Sequence, residues 1–470
     1  MSLEVTKEII ARQSPEAQGI IRALLAEIAG LRVELEELRR QLKGNTPQNS
    51  SLPPSTQHPH ARPQPGKRKS KKRRGGQPGH AKHERPLIPS QDCDEVQELK
   101  PTECRRCGGK LTGSDADPLR HQVWELPEIR PLVTEYRRHR LACPWCGKTT
   151  CAELPAGVPQ GQSGPRLTAL AALLMAYYRQ SKRRTAEFLG ALVGQPCCPA
   201  LTVKMQTQVT AALRGAYDEL AAQLPTQDHL SIDETATKEC NGKAWLWTFV
   251  ARAFTVYALR RTREATALVE LLTAAFRGVV TCDRAKMYWR VDRLQWCWAH
   301  LIRDFQALVD NGDGQAKRLG YDLRRAAREL FQHWSNYRDG TITRAALLRR
   351  MAPVRREVER LLLRGVASGN RSVVGMCREL SEHRAWLWTF LREEGVEPTN
   401  NASERALRHA VIWRKLSFGT QSAGGSRFVE TMLTAIETCR QQRRNAFEFV
   451  TAAVQAHFAR QPAPSLLPGV

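Results

Sequence analysis

The chain has 470 residues, 41% of them hydrophobic, so it is long enough for about three domains with apolar cores. Its formal net charge of +25 predicts a polyanionic partner, most simply nucleic acid. No apolar run reaches the roughly 18–20 residues that cross a bilayer, and the N-terminus "MSLEVTKEII" lacks a signal-peptide pattern, so we expect neither a membrane protein nor a secreted one.

Residues 1–44 are predicted to form a coiled-coil helix. Apolar side chains recur there at alternating spacings of three and four, with charged residues between them. This pattern is an a/d seam, and it predicts self-association into a homo-oligomer. The alternative is a single amphipathic helix docked on its own protein. The seam residues are Ile21, Leu24, Ile28, Leu31, Leu35, Leu38 and Leu42.

Residues 45–90 are rich in Pro, Ser, Asn and Gly, which predicts a disordered basic linker because little apolar area offsets its ordering entropy. Seven Lys or Arg residues cluster at 67–74. Such a cluster is expected to bind DNA phosphates with strong salt dependence, and the alternative is a solvated linker. The candidate DNA-binding residues are Lys67, Arg68, Lys69, Lys71, Lys72, Arg73 and Arg74.

Residues 91–155 contain two CxxC motifs, each followed by a glycine: "CRRCGG" and "CPWCGK". The four thiols of Cys104, Cys107, Cys143 and Cys146 match a tetrahedral Zn²⁺ site, and "VTEYRRHRL" between them suits the strands of a zinc ribbon. Thirteen irregularly spread cysteines favour metal sites in a reducing compartment over a disulfide framework. We therefore expect a cytoplasmic protein with a zinc-ribbon domain.

Residues 160–226 are predicted to be helical, with a turn at "QPCCPA". Short helices, a tight turn and scattered basic residues are typical of a helix-turn-helix DNA-binding domain. An ordinary helical bundle fits the same pattern.

Residues 227–300 switch to strand patterns. The stretches "HLSIDET", "AWLWTFVA" and "FTVYALRR" predict three strands, "EATALVELLTAAF" a helix, and "GVVTCD" and "LQWCWA" two further strands. This is the element order of a ribonuclease-H-like α/β domain. In that topology Asp233 lies on the first strand and Asp283 lies just after the fourth. The first and fourth strands are neighbours in the sheet, so the two carboxylates are expected to meet.

A third carboxylate is expected from a helix later in the chain. Two hard divalent cations about 4 Å apart serve phosphoryl transfer, and Mg²⁺ prefers carboxylate oxygens. The stretch "PTNNASERALR" predicts a helix, capped by Asn400 or Asn401, with Glu404 in its first turn. The alternative is a surface ion pair between Glu404 and Arg408.

These motifs together resemble a DDE transposase of the insertion sequence sixty-six family, nearly from end to end. The resemblance rests on "NTPQNSSLPPS", "RRGGQPGH", the two CxxC motifs, "DETATKECNGKAWLW", "CDRAKMY", "QWCWAHLIRDF", "TNNASERALR" and "ETCRQQRRN". It implies that Asp233, Asp283 and Glu404 are the catalytic, metal-binding triad for Mg²⁺ (or Mn²⁺). It also implies that residues 301–397 form a helical insertion, 398–425 the glutamate helix and 426–470 C-terminal helices.

The resemblance implies a bacterial transposase that binds the terminal inverted repeats of its element, cleaves DNA and transfers the strand to target DNA. Arg405 and Arg408 are candidates for holding a phosphate, and accessory proteins of the element are possible partners. Two alternatives stay open. One is a zinc-ribbon DNA-binding regulator with an inactive ribonuclease-H-like domain, and the other is a metal-dependent nuclease without strand transfer.

Three further sets of residues have a structural interpretation. Glu234 is expected to point away from Asp233, because side chains alternate along a strand. Cys297 and His300 in "CWAH" supply only two metal ligands, so packing is the preferred interpretation. Aromatic residues in "WLWTF" are expected in the core, with base stacking as the alternative. These are Trp386, Trp388 and Phe390.

Overall fold

The computed structural model describes residues 10, 12–42, 85–311 and 313–467, without the side chains of residues 32–42, 311 and 372. The predicted basic cluster at 67–74 and most of the predicted linker lie outside the described residues. The described part of the chain divides into two compact units, of which residues 85–131 form one and the remaining residues the other. Nearly half of the chain is helical and its largest sheet is mixed, so the fold is mixed α/β.

Helix α1 (Pro15–Leu42) confirms the predicted N-terminal helix. Three of its four described seam side chains are exposed to solvent: Leu24 is 52% exposed, Ile28 45% and Leu31 57%, whereas Ile21 is half-buried. The side chains of Leu35, Leu38 and Leu42 lie outside the described part. The exposure of the described seam argues against docking of α1 on its own protein, and the coiled coil itself stays a prediction.

The unit of residues 85–131 contains little regular structure. A short 3₁₀ helix spans Ser90–Asp92, and Glu103 and Lys110 form an isolated β-bridge. The Gln122 side chain joins two parts of the unit, because its oxygen accepts from the Ile88 amide at 3.0 Å and its nitrogen donates to the Ile88 carbonyl at 2.9 Å.

A two-stranded antiparallel ribbon, β1 (Arg140–Ala142) with β2 (Thr149–Cys151), frames the second CxxC motif. The predicted strand over "VTEYRRHRL" is wrong for its first seven residues, because β1 begins only at Arg140. Val133 is 88% exposed, so this stretch has no apolar layer to pack on. Alternating apolar and polar residues were therefore not sufficient to form a strand there.

A five-stranded mixed sheet holds the centre of the larger unit. Its order is β5-β4-β3-β6-β7; β3, β4 and β5 are antiparallel, whereas β6 and β7 run parallel to β3. The predicted strands are therefore present, and the first and fourth of them are neighbours, as predicted. The strands are β3 (His229–Glu239), β4 (Gly242–Val250), β5 (Thr255–Arg260), β6 (Val279–Cys282) and β7 (Leu294–Trp296).

A tight hairpin explains why β3 runs four residues beyond its predicted end. Cys240 and Asn241 connect β3 to β4 with φ values of +49° and +62°. Two consecutive residues with positive φ are typical of a type I′ turn, whose twist matches that of the flanking strands. Pairing therefore continues to the last residues of the hairpin, Glu239 opposite Gly242.

The remaining elements are helices, in three groups along the chain. Before the sheet come α2 (Pro165–Ala176), α3 (Lys182–Val193) and α4 (Pro199–Ala222). Within the sheet region and after it come α5 (Ala265–Leu272), α6 (Trp298–Asn311), α7 (Gly314–Arg338), α8 (Arg344–Val366), α9 (Arg371–Glu382) and the short α10 (Thr389–Arg392). The chain continues with α11 (Asn401–Ser417), α12 (Ala423–Gln441) and α13 (Ala446–Phe458).

The two faces of the sheet bury different partners. Leu246 and Tyr257 pack with Leu407 of α11 and Leu433 of α12 on one face. Side chains of the opposite parity, such as Trp247, join the large core that also holds the insertion helices. Burying a leucine of this kind contributes about 1.5–3 kcal/mol, so each face fixes its helices firmly. Helix α11 is thereby held over β3 and β4.

Candidate active site

The two predicted aspartates lie side by side on neighbouring parallel strands. Ser231 of β3 is paired with Thr281 of β6, and each aspartate follows its paired residue by two positions. Asp233 is half-buried within β3, and Asp283 is half-buried directly after the last residue of β6. The register of the parallel pair therefore brings Asp233 and Asp283 together at one edge of the sheet.

Strand parity separates Asp233 from Glu234. Asp233 is opposite Thr248, which has the parity of Leu246 and so faces α11 and α12. Glu234 is opposite Trp247, whose ring is in the core of the other face. Directly opposed residues of an antiparallel pair share a face, so the two acids point in opposite directions, as the sequence predicted.

Glu234 has its own structural partners. Its carboxylate is buried and forms a 2.7 Å ion pair with Arg263. It also accepts a hydrogen bond from the Tyr288 hydroxyl. Burial and the charge of Asp283 raise the pKa of Glu234, and the two partners oppose that rise. This glutamate ties β3 to the segment after Asp283.

The third predicted acid, Glu404, is in the first turn of α11 and is 31% exposed. The start of this helix is fixed by buried polar contacts with β3. The Ser231 hydroxyl donates to the Asn400 side-chain oxygen at 2.8 Å, and Ser403 also donates to that oxygen. Asn400 is the capping residue, but its side chain makes no cap hydrogen bond because these serines engage it. Helix α11 is thus attached to the strand that carries Asp233.

The electrostatics of Asp233 connect all three acids. Its pKa is raised well above the usual value, first by burial and then by the charges of Glu234, Asp283 and Glu404. Neighbouring carboxylates raise a pKa because like charges disfavour ionisation. The site therefore concentrates negative charge that a cation would neutralise.

The donor set at this site fits a hard divalent cation. One oxygen of Asp233 accepts from the amide of Glu234 at 2.9 Å, and one oxygen of Asp283 accepts from the amide of Ala285 at 2.8 Å. These bonds orient each carboxylate and leave its second oxygen for another ligand. Three carboxylates of this kind suit Mg²⁺ or Mn²⁺ better than soft metals.

His300 and Cys297 lie next to Glu404. His300 Nδ1 is 3.7 Å from Glu404 Oε1, and Cys297, His300 and Glu404 offer ligand atoms that all lie within 4.8 Å of one another. Cys297 is fully buried, in agreement with its predicted packing role. Packing alone does not describe His300, because its ring faces the Glu404 carboxylate. The "CWAH" spacing offered two possible metal ligands in the sequence, and the structure places Glu404 beside them as a third.

The alternative interpretation of Glu404 as half of a surface pair is not what the structure shows. Among the described residues, the basic side chain within 4 Å of its carboxylate is His300, whose pKa is lowered by burial, and no ion pair links Glu404 to Arg408. Arg405 and Arg408 are both exposed on α11. Their guanidinium groups are therefore accessible to an anionic ligand.

The aromatic residues of "WLWTF" are core residues, as preferred from the sequence. Trp388 and Phe390 are essentially inaccessible, and Trp386 is half-buried against Trp296 at 5.1 Å between ring centroids. The Trp388 ring also packs 5.0 Å from that of Trp298. The base-stacking alternative is thus wrong for the two buried rings.

The two CxxC motifs, called the cysteine knuckles below, have the same local geometry. The first lies in the unit of residues 85–131 and the second in the larger unit. The amide of Gly108 donates to the Cys104 carbonyl at 2.9 Å, and the amide of Gly147 donates to the Cys143 carbonyl at 2.9 Å. The two glycines have φ values of +72° and +70°, a conformation that favours glycine. Hydrogen bonds from the local backbone lower the pKa of the Cys104 and Cys143 thiols. Such turns favour thiolates, the form that binds zinc.

Helices α3 and α4 are joined by a short turn that begins at Gly194, with φ of +67°. Helix α4 packs against α2, α12 and α13, and its Leu213 belongs to the same core as the sheet. Lys182, Arg183 and Arg184 at the start of α3 are exposed. DNA binding by this segment stays a prediction.

Comparison with known families decides the relationship. A model described as "Transposase IS66 family" matches residues 160–427, more than half of the chain and all three carboxylates. The chain belongs to this family. A second model, the zinc-finger binding domain of transposase IS66, matches residues 101–147 and so covers all four knuckle cysteines. A family of unknown function, DUF6444, matches residues 6–86.

Similar proteins include two uncharacterised proteins of Sinorhizobium fredii. The protein y4qI is 28% identical over 225 residues, which is 42% of this chain and 41% of y4qI. The protein y4hP is 24% identical over 386 residues, which is 72% of this chain and 68% of y4hP. The family membership agrees with the resemblance found in the sequence, and with a zinc finger and a divalent metal. In the described part of the chain, no helix is long and apolar enough to cross a membrane.

Proposed function

We propose that this family member is a DNA transposase that binds the terminal inverted repeats of its element and catalyses metal-dependent cleavage and strand transfer. The observation that carries the proposal is the convergence of three carboxylates from distant parts of the chain. Asp233 lies on β3, Asp283 follows β6, and Glu404 lies in the first turn of α11. The charges of Asp283 and Glu404 raise the pKa of Asp233.

The arrangement of elements supports a ribonuclease-H-like catalytic domain. The strand order β5-β4-β3-β6-β7, with only β4 antiparallel to the central β3, matches the order expected for that fold. Helix α11 covers the face to which Asp233 points. The helices α6 to α10 lie between β7 and α11 in the chain, in the position of the predicted insertion.

Asp233, Asp283 and Glu404 would hold Mg²⁺ or Mn²⁺ at this edge of the sheet. When bound, a pair of such cations supplies activation of a nucleophile and stabilisation of a leaving oxygen at phosphorus. Water is the first nucleophile in the proposed reaction, and the freed 3′-hydroxyl then attacks target DNA. The protein's contribution is to fix the three carboxylates, through the sheet register for the aspartates and through Ser231 and Asn400 for Glu404.

DNA binding is proposed to use several basic surfaces. Arg405 and Arg408 are exposed within about one turn of Glu404, where they can hold a phosphate of the strand being cut. The zinc finger with its four cysteines and the basic cluster at 67–74 would supply further contacts. The net charge of +25 supports this assignment, because phosphate contacts dominate the affinity of DNA-binding proteins.

A homo-oligomer is proposed through α1. Most of the described part of its a/d seam is exposed in the single chain: Leu24, Ile28 and Leu31 are each at least 45% exposed, and Ile21 is half-buried. A second copy of α1 is the occupant that an a/d seam fits, because knobs and holes on two such helices are complementary. The oligomer would place two catalytic sites in one assembly, as joining two element ends requires.

A strand-transfer assay tests the proposed function. Full-length protein is incubated with Mg²⁺, target DNA and pre-cut DNA carrying candidate ends of the element. Joined products are expected, and they should disappear when a chelator is added. Cut ends without joined products would indicate a nuclease instead. Specific DNA binding with neither reaction would contradict an enzymatic function and support a regulator.

A further inference from the structure

The junction between β7 and α6 contains three potential ligands of three different chemical types. Cys297 lies just before α6, His300 is in its first turn, and Glu404 comes from the first turn of α11. Their sulfur, nitrogen and oxygen atoms lie within 4.8 Å of one another. The three groups are mostly removed from solvent, with His300 only 13% exposed and Cys297 inaccessible.

Two of these atoms have no hydrogen-bond partner. His300 Nδ1 and Glu404 Oε1 are both buried and unsatisfied, although they are only 3.7 Å apart. A distance of 3.7 Å is too long for a good hydrogen bond, so each atom forfeits the stabilisation that buried polar groups ordinarily obtain. One ligand atom of His300 and one of Glu404 also lie within 4.8 Å of the Cys297 sulfur, so a single ion can reach all three residues.

The backbone around the three residues is held in place by contacts between distant segments. The Asn400 amide donates to Cys297 Sγ at 3.3 Å, and the Trp298 amide donates to the Pro398 carbonyl at 2.9 Å. The Cys297 amide donates to the Cys282 carbonyl at 2.9 Å, which fixes this turn to the strand before Asp283. The ligand positions are thus set by the packed core and need only small side-chain rotations to adjust.

We propose that Cys297, His300 and Glu404 form a site for one divalent transition-metal ion of zinc-like chemistry, separate from the zinc finger. A thiolate, an imidazole and a carboxylate are the ligand types that zinc accepts, whereas Mg²⁺ prefers oxygen ligands alone. Ligand atoms of a tetrahedral zinc site stand roughly 3.3–3.8 Å apart, so closing the present group requires shifts of about 1 Å. Three protein ligands leave one position open.

The site shares Glu404 with the proposed catalytic triad. Its Oε1 faces His300, and its charge also acts on Asp233. An ion at the new site would draw this carboxylate toward Cys297 and His300 and away from the two aspartates. Resting on the proposed function, this consequence is regulatory: zinc is expected to inhibit Mg²⁺-dependent DNA cleavage by competing for Glu404.

Zinc stoichiometry tests the site without any use of activity. Full-length wild-type protein and variants are equilibrated with excess zinc, passed through a desalting column and analysed by mass spectrometry for metal. The Cys297→Ser and His300→Ala proteins should each retain about one equivalent less zinc than wild type, because each loses one of three ligands. Cys439→Ser replaces another fully buried thiol outside the group and should retain the wild-type amount.

His300→Ala protects the test against misfolding, because His300 is partly accessible while Cys297 is not. Circular dichroism confirms that each variant is folded before its metal is counted. Equal zinc content in wild type and folded His300→Ala would overturn the site. A deficit in both ligand variants and none in Cys439→Ser would support it.

Inhibition provides the second readout. For each protein, the rate of DNA cleavage in Mg²⁺ is measured with and without micromolar zinc. The ratio of these two rates is compared between proteins, so that differences in their basal activity do not matter. Wild type should lose at least tenfold in rate, and His300→Ala should lose much less. A zinc deficit in the variants without any Mg²⁺-dependent cleavage in wild type would support the site and refute the proposed function. Cleavage with equal zinc content and equal inhibition would support the function and refute the site.

Discussion

The carboxylate site and the cysteine knuckles are constructed in opposite ways. Asp233, Asp283 and Glu404 come from segments up to 171 residues apart and are held by the sheet register and by buried contacts such as Ser231 with Asn400. Each knuckle is held within a few residues by glycines of positive φ and by its own backbone hydrogen bonds. A local motif can therefore be interpreted from its spacing, whereas a site of distant residues can be interpreted only through the topology that assembles it.

For the cysteine knuckles, the largest expected effect is a loss of bound zinc. Replacing Cys104 and Cys107 by serine should remove the zinc-finger ion completely, because only two thiolates remain for a four-coordinate site. Metal analysis should show about one equivalent lost relative to wild type. Cys93→Ser, a nearby cysteine outside both CxxC motifs, is the control and should keep its zinc. Unchanged zinc content in the double variant would refute the assignment.

On the distant side, Asn400→Ala should destabilise the attachment of α11. Asn400 is fully buried, and its side-chain oxygen accepts hydrogen bonds from Ser231 and Ser403. Without that oxygen the two hydroxyls keep each other and the backbone carbonyl of residue 400 as partners. Urea unfolding should therefore show a loss of about 1 kcal/mol, the typical net contribution of a hydrogen bond. Asn401→Ala replaces the exposed neighbouring residue and should change stability by less than about 0.5 kcal/mol. Equal losses would mean that the contact does not anchor the helix.

Helix α1 is a third arrangement, in which the proposed partner of an apolar seam is a second copy of the chain. Replacing Leu24, Ile28 and Leu31 together by serine should lower the oligomeric state measured by light scattering, because the described seam is removed. Glu27→Ser changes an exposed residue between them and should leave the assembly intact. An unchanged mass for the triple variant would show that the seam does not mediate self-association.

The smallest expected effect is on thermal stability, because clustered carboxylates destabilise the folded protein when they are ionised. The pKa of Asp233 is raised in the folded protein, so folding binds a proton and stability falls as pH rises from the ordinary carboxyl pKa through the raised one. Above that range, metal-free Asp233→Asn should melt a few degrees higher than wild type, and the gap should shrink as pH is lowered. Asp228→Asn, an exposed acid just before the same strand, should show no such gap.

The sequence was sufficient for the strands of the five-stranded sheet, because apolar runs mark them locally, and the ribonuclease-H-like element order predicted that the strands next to the aspartates pair. It did not show that β3 continues to Glu239, because the turn is formed by Cys240 and Asn241, and cysteine is not a typical residue of a type I′ turn. It suggested Asn400 as a cap, yet its side chain is engaged by Ser231, 169 residues away. Such long-range contacts have no signature in local spacing.

The same reason applies to the two groups of candidate metal ligands. The CxxC motifs place four thiols in two short segments, so a zinc site could be predicted from their spacing alone. The "CWAH" motif offers two ligands, and the third, Glu404, is 104 residues beyond His300 and becomes visible only when α6 and α11 pack together. Conversely, alternation over "VTEYRRHRL" indicated a long strand where Val133 has no core to cover.

The proposed catalytic role of Glu404 is tested by comparing Glu404→Gln with Arg408→Gln in Mg²⁺-dependent cleavage of DNA that carries the element's ends. Glutamine keeps the size of the Glu404 side chain but removes its charge, so cleavage and strand transfer should fall by several orders of magnitude while end binding survives. Arg408→Gln should keep most of the cleavage rate with somewhat weaker binding, because it removes a single phosphate contact. A folded Glu404→Gln protein that cleaves at the wild-type rate would contradict the account.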